Sequence, residues 1–167
     1  MEAMQAILTR RSIRRYTSET ISEGMIKALL TAAMSAPAAH NERPWSFVVI
    51  QDRAVLDQVP AFHPYAAMLS QAPLAIAVCG DSQAQPGYWI LDCAAATENL
   101  LIAAHALGLG AVWLGIYPRE ERIQGLRQLL GLPDRIIPLS LIALGYPAEI
   151  KPAVDRFDPQ RVHYNHW

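Results

Sequence analysis

The chain has 167 residues, 52% of them hydrophobic and only 17% charged, with a formal net charge of −1. That length suits one domain with a substantial core, and so apolar a composition implies surface buried against another subunit. No Lys or Arg lies between Ala54 and Pro118, which excludes a broadly basic nucleic-acid surface, because tracking phosphates needs distributed cations.

In chain order, Ala3 to Thr9 is a short helical run with Glu2 and Gln5 near its start, unlike a secretory leader. It delivers Arg10-Arg11-Ser12-Ile13-Arg14-Arg15-Tyr16, four guanidinium groups and a hydroxyl in seven residues. Arginine offers a planar fork of donors that grips phosphate two oxygens at a time, and it stays charged at any working pH. Ile13 and Tyr16 are apolar anchors that hold the cluster against a core. The stretch is a candidate site for a phosphate monoester or another compact anion; the plain alternative is a solvated basic face.

Ser22 caps a helix that starts at Glu23, with Ile26, Leu29, Leu30 and Ala33 at helical spacing. It stops near Ser35 because Pro37 disfavours helix in Ala36. Residues 36–45 (Ala-Pro-Ala-Ala-His-Asn-Glu-Arg-Pro-Trp) are an ordered loop between two prolines, with His40 a candidate contact. Ser46 to Gln51 reads as a strand, Arg53 to Gln58 as a short helix, and Pro64 to Gln71 as a further helical turn. Pro73 to Cys79 is an apolar strand ended by Gly80-Asp81.

A long helix follows from about Tyr88 to Leu107, apolar on nearly every side and therefore central to the fold or to a dimer. Asp92, Glu98, Asn99 and His105 interrupt it, so it is a buried helix and not a membrane span. Gly108 stops it, and Gly110 to Tyr117 forms a strand. Pro118 opens a surface helix with Ile123, Leu126 and Leu130 on one face, closed at Gly131. Ile136 to Leu144 is the last strand. Pro152 to Trp167 forms an irregular arm whose Phe157, Val162, Tyr164 and Trp167 need a surface to pack on, and the whole chain reads as a single domain, 1–167, with residues 152–167 as its arm.

Hydrolytic and metal chemistry find no good candidate. His163-Tyr-Asn-His166 has no acidic or Cys partners nearby in sequence, and His105 reads as a satisfied core histidine. Asp92 and Glu98 are six apart on one helix and point different ways, so they are not a catalytic pair; Glu98-Asn99 suits buried backbone groups or cations instead. Gly108-x-Gly110 follows a helix and precedes a strand, the reverse of the order a dinucleotide-binding loop needs. Cys79 and Cys93 read as buried free thiols in a reducing cytoplasm.

Several of these segments together resemble the nitroreductase family of flavin mononucleotide oxidoreductases. The likeness rests on Arg10-Arg11-Ser12-Ile13-Arg14, Ala36-Pro37-x-x-x-Asn41-x-x-Pro44-Trp45, the helix from Ala95 with its Gly108-Leu109-Gly110 exit, Gly145-Tyr146-Pro147, and the arm. The resemblance implies an α+β, three-layer α/β/α fold with a mostly antiparallel central sheet. It also implies an intertwined homodimer, its C-terminal arms exchanged, with FMN at the subunit interface and NAD(P)H as reductant. Arg10, Arg11, Ser12 and Arg14 would hold the flavin phosphate, joined by Arg156 from the arm. Pro37, Ala38 and Ala39 would lie beside the ring from the partner chain, with Asn41 near the cofactor. Leu114 and Gly115 would give backbone contacts near the ring's reactive edge.

The chain departs from the family pattern in ways that bear on substrate. Ala38 stands where a serine is common and Arg43 where a glutamine is, so a hydroxyl contact is lost and a cation is gained. Val154 replaces one of two cations around Arg156, and Pro64 and Met68 stand where some members aim an amide at the ring. The expected activity is hydride transfer from NAD(P)H through FMN to a small-molecule acceptor such as a nitroaromatic or quinone, by alternation of the two substrates, with no nucleic acid or membrane partner. The rivals are a specialised flavin enzyme, dehalogenating or flavin-fragmenting, and a non-catalytic phosphate- or nucleotide-binding module.

Overall fold

A computed structural model describes residues 1–84 and 86–167. Its regular elements are α1 (Ala3–Thr9), α2 (Glu23–Met34), β1 (Trp45–Ile50), α3 (Arg53–Leu56), β2 (Leu74–Asp81), α4 (Trp89–Ala106), β3 (Gly110–Gly115), α5 (Glu120–Leu130) and β4 (Ile136–Gly145), with four short 3₁₀ turns between and after them. The local chemistry sets these bounds. Ser22 Oγ accepts the Met25 N–H at the start of α2, 3.3 Å away. Gly131 ends α5 in the left-handed region, at φ 64°, where a residue without Cβ is unstrained.

The four strands form one antiparallel sheet in the order β1-β2-β4-β3. Alternation along β2 divides its side chains between two cores. Leu74, Ile76 and Val78 face α2 and α4, together with Ile142 and Leu144 of β4. Ala75, Ala77 and Cys79 face the other way, where Leu56, Leu69, Ile123 and Leu126 cover them with Leu141 and Ala143. Helices on both faces make the three layers that the resemblance implies. Inside the α4 layer Thr97 Oγ1 donates to Cys93 O at 2.8 Å and lies 3.0 Å from Ser140 Oγ, so this buried polar pair is satisfied. No helix among the described residues is long and apolar enough to cross a membrane.

Several boundaries differ from the sequence reading. β2 does not stop at Gly80-Asp81: Gly80 pairs with Trp45 and Ile137, and the strand runs through Asp81. Gly80 serves close packing, since a Cβ there would sit 2.5 Å from the Trp89 ring and 2.9 Å from Cys93 Sγ. α3 ends at Leu56 because Pro60 has no N–H to give its carbonyl, and a 3₁₀ turn over Val59–Ala61 follows. The turn expected over 64–71 contracts to a 3₁₀ turn, Ala67–Ser70, and β3 stops at Gly115, short of Tyr117. α4 buries Trp89, Cys93, Ala96, Leu100 and Ala104 on one stripe, while Leu91 on another side is 62% exposed. The arm is extended, and its own chain leaves Phe157, Tyr164 and Trp167 exposed.

Candidate functional site

The arginine stretch is laid along the free edge of β3. Ile13 N–H donates to Ala111 O at 3.0 Å, forming a parallel bridge at Ser12 and Ala111. Gly110 makes this approach possible, because a Cβ there would fall 2.7 Å from Ile13 Cγ2. Tyr16, buried as expected of an anchor, places its hydroxyl 2.6 Å from Ile13 O and 3.2 Å from Ala143 O. Burial pushes its phenol pKa up, so the hydroxyl stays a donor. The C-terminal side of the sheet supports the same stretch: Ala148 N–H donates to Arg15 O at 2.8 Å, and Lys151 Nζ to Ser12 O at 2.8 Å. Glu149 accepts the Arg14 N–H at 2.6 Å and pairs with Lys151 at 3.2 Å. That backbone bond and then Lys151 hold the Glu149 carboxyl below the usual carboxylate range. Tyr16→Phe should cost about 0.5–1.5 kcal/mol of stability, one buried hydrogen bond's net worth, checked by urea denaturation.

The arginines do not all face one place. Arg10 and Arg156 line a common cleft of about 550 Å³ between α1 and the arm, with Ile7, Leu8 and Phe157 supplying apolar walls. Asp155 also lines it, with Oδ1 engaged by the Phe157 N–H at 3.0 Å. Arg10 Nε is buried without a hydrogen-bond partner among the described residues; Glu98 Oε1, its ion-pair partner, stands 3.5 Å away. Arg10 thus brings a cation and a buried N–H without a hydrogen bond to the wall of a cleft that Arg156 shares, with Glu98 offsetting part of its charge. Arg11 lines a second cleft, with His105 and Lys151, and its guanidinium holds the Pro152 carbonyl at the root of the arm. Arg14 and Arg15 are exposed. His105 is satisfied, as expected, by Thr9 Oγ1 at 2.8 Å; burial and then Arg10 lower its pKa.

Four residues along the same free edge from Ala111 stands Gly115, about 13 Å away at about 3.3 Å per residue. Leu114 is buried in the core, while a Cβ on Gly115 would meet nothing within 4 Å. The Gly115 carbonyl turns away from β4 and takes two donors, Arg122 Nη1 at 2.8 Å and His63 Nε2 at 3.1 Å. Sequence reading missed both side chains. His63 lies between short turns, where no periodicity marks it.

The loop of residues 36–45 stands apart. Ala39 N–H donates to Asp92 Oδ1 at 3.1 Å, so the first turn of α4 fixes the loop, and Asp92 Oδ2 is buried with no partner among the described residues. His40, Asn41 and Arg43 all have positive φ, at 52°, 59° and 49°, conformations that L side chains adopt only when their surroundings impose them. Pro37 and Asn41 are exposed, Ala38 and Ala39 half-buried. No residue of this loop lines the cleft of Arg10 and Arg156. Asp92 and Glu98 thus do separate work on α4, one on the loop and one on Arg10. Asn99 Nδ2 meets a backbone group, Ala32 O, at 3.0 Å. Cys79 and Cys93 are free and buried, and burial pushes both thiols up to about 12.

The profile of the nitroreductase family matches residues 7–63 and 62–146 of this chain. A protein of Methanothermobacter thermautotrophicus, provisionally named NADH dehydrogenase/NAD(P)H nitroreductase, is 50% identical over 169 residues, spanning 100% of this chain and 88% of its own. A crystal structure from Parabacteroides distasonis with the same provisional name has a TM-score of 0.97 at 41% identity, covering 99% of this chain and 98% of that one. Another, from Desulfovibrio desulfuricans and provisionally named a nitroreductase, is a complex with FMN; it has a TM-score of 0.86 at 34% identity and covers 100% of this chain and 98% of that one. With the profile across most of its length and such likeness in both sequence and fold, the chain belongs to the nitroreductase family.

Proposed function

We propose that this chain is an FMN-dependent oxidoreductase that uses NAD(P)H. The observation that carries the reading is β3, whose outer edge bridges the arginine stretch at one end and which ends in a glycine with open space beside its Cα at the other. The separation, about 13 Å at the rise of a strand, suits a phosphate, a ribityl chain and a ring laid along the edge. The relatives' names and the FMN held by one of them support the same ligand.

In this reading Arg10 and Arg156 hold the phosphate, with Ser12 and Arg14 beside it, and Arg11 secures the arm that brings Arg156. Leu114 and Gly115 present backbone to the ring. Pro37, Ala38, Ala39 and Asn41 contribute from a second copy of the chain, which explains why their loop shares no cleft with Arg10 in one subunit. A homodimer also covers Phe157, Tyr164 and Trp167 of the arm, which one chain leaves exposed. When bound, the flavin would accept hydride from NAD(P)H and pass electrons on to a small acceptor such as a nitroaromatic or quinone, the two taking turns at one site. The protein's part is orientation and electrostatics. The buried thiols suit a reducing cytoplasm.

The purified protein should carry non-covalent FMN near one per chain. NADH or NADPH should bleach its spectrum without oxygen, and an added quinone should restore it. A colourless protein that takes up no added flavin would show the reading to be wrong.

A further inference from the structure

The end of β3 is held by side chains brought from distant segments. Gly115 has no side chain to fix its outer edge, yet both acceptor positions of its carbonyl are used, by His63 Nε2 and by Arg122 Nη1. His63 is 1% exposed, rare for an ionisable group. The Tyr65 N–H donates to its Nδ1 at 3.3 Å, so Nδ1 carries the lone pair and Nε2 the proton. A neutral imidazole in a single tautomer follows. The Tyr65 ring lies 5.6 Å beneath the Arg122 guanidinium and meets His63 edge-on with centroids 6.3 Å apart, which sets both donors.

We propose that neutral His63 is a positioning residue that, with Arg122, clamps the Gly115 carbonyl and so fixes the backbone against which the flavin ring lies. The proposal rests on the flavin reading above. The groups facing His63 are Arg122 from α5 and Tyr65; no carboxylate forms an ion pair with it among the described residues. Protonating it removes the acceptor from Tyr65 N–H and sets a second cation beside Arg122. Burial, and after it Arg122, hold its pKa below the ordinary 6.5. The unfolded chain therefore binds this proton at a higher pH than the folded one. The neutral imidazole's contribution to folding stability is complete above about pH 6.5 and declines as pH falls from there toward the lower folded value. Flavin affinity is set by the folded chain alone, so it should hold through that window and decline only as pH approaches the lower folded value.

The test is fluorescence titration of the full-length protein with FMN and with riboflavin, from about pH 5 to about pH 8, where imidazole titrates. Wild type, His63→Leu, His63→Gln and Arg122→Met are compared, with the flavin midpoint potential of each. His63→Leu should weaken both flavins alike, by roughly tenfold at neutral pH, shift the potential, and flatten the acid decline. His63→Gln, which restores an amide donor, should recover most of the affinity. Unchanged affinities with the wild-type acid decline would overturn the proposal, and so would a loss confined to FMN or a drop in melting temperature alone. If His63→Leu does not fold, Arg122→Met and the wild-type pH profile decide by the same criteria. A wild-type chain that binds neither flavin overturns the flavin reading and this proposal together; one that binds both while the variants match it overturns only this one.

Discussion

Arg10→Met and Arg156→Met should each weaken FMN by about ten- to a hundred-fold while leaving riboflavin, which lacks the phosphate, almost untouched. Each change removes a charge-assisted hydrogen bond of roughly 1.5–3 kcal/mol, and the double variant should lose several hundred-fold or more. Both side chains line one cleft, and Arg10 Nε has no hydrogen-bond partner among the described residues, its ion pair with Glu98 standing at 3.5 Å. Arg15 is the control: its side chain is exposed and its backbone carbonyl accepts the Ala148 N–H. Arg11→Met should behave differently from both, because its guanidinium holds the Pro152 carbonyl and its loss loosens the arm. Fluorescence titration of both ligands checks the series. Equal losses for FMN and riboflavin across Arg10 and Arg156 would make the cleft structural.

The second large effect is expected at Gly110, which touches the arginine stretch through Ile13. Gly110→Val should destabilise the fold by about 1–3 kcal/mol, the usual cost of overpacking, and weaken FMN at the same time. A Cβ there would lie 2.7 Å and 2.9 Å from Ile13 side-chain atoms, and the Ile13 N–H is the bond that holds the arginine stretch to Ala111. The strand is held on its other edge by β4, so the stretch has to yield. Gly110→Ala combined with Ile13→Ala should recover part of both losses, a coupling that a thermal melt and a titration can each measure. Full flavin affinity in Gly110→Val would show that the stretch need not lie on β3.

These expectations depend unequally on sequence and structure. The long elements were legible because their signals are local. Ser22 with the spacing of Ile26, Leu29 and Ala33 marked α2, and Gly131 after Leu130 marked the end of α5. The short segment between β1 and β2 was misdrawn, since its turns take their shape from what packs over them. Gly80 was read as a stop because glycine's local meaning is a break, whereas here it makes room for Trp89.

By itself, the sequence marked residues 10–14 as a candidate site for a compact anion, placed the longer helices and strands, and showed which family the chain resembles. Those properties reside in residue type and short spacing: guanidinium charge, period-two and helical alternation, capping and breaking residues. Only the tertiary structure decided which arginines share a cleft, why Glu98 sits by Arg10 while Asp92 holds Ala39, and that His63 and Arg122 meet at Gly115. The contact from His63 to Gly115 joins residues 52 apart in the chain. Such contacts depend on how layers stack, and a side chain's chemistry carries no trace of which distant carbonyl it will reach.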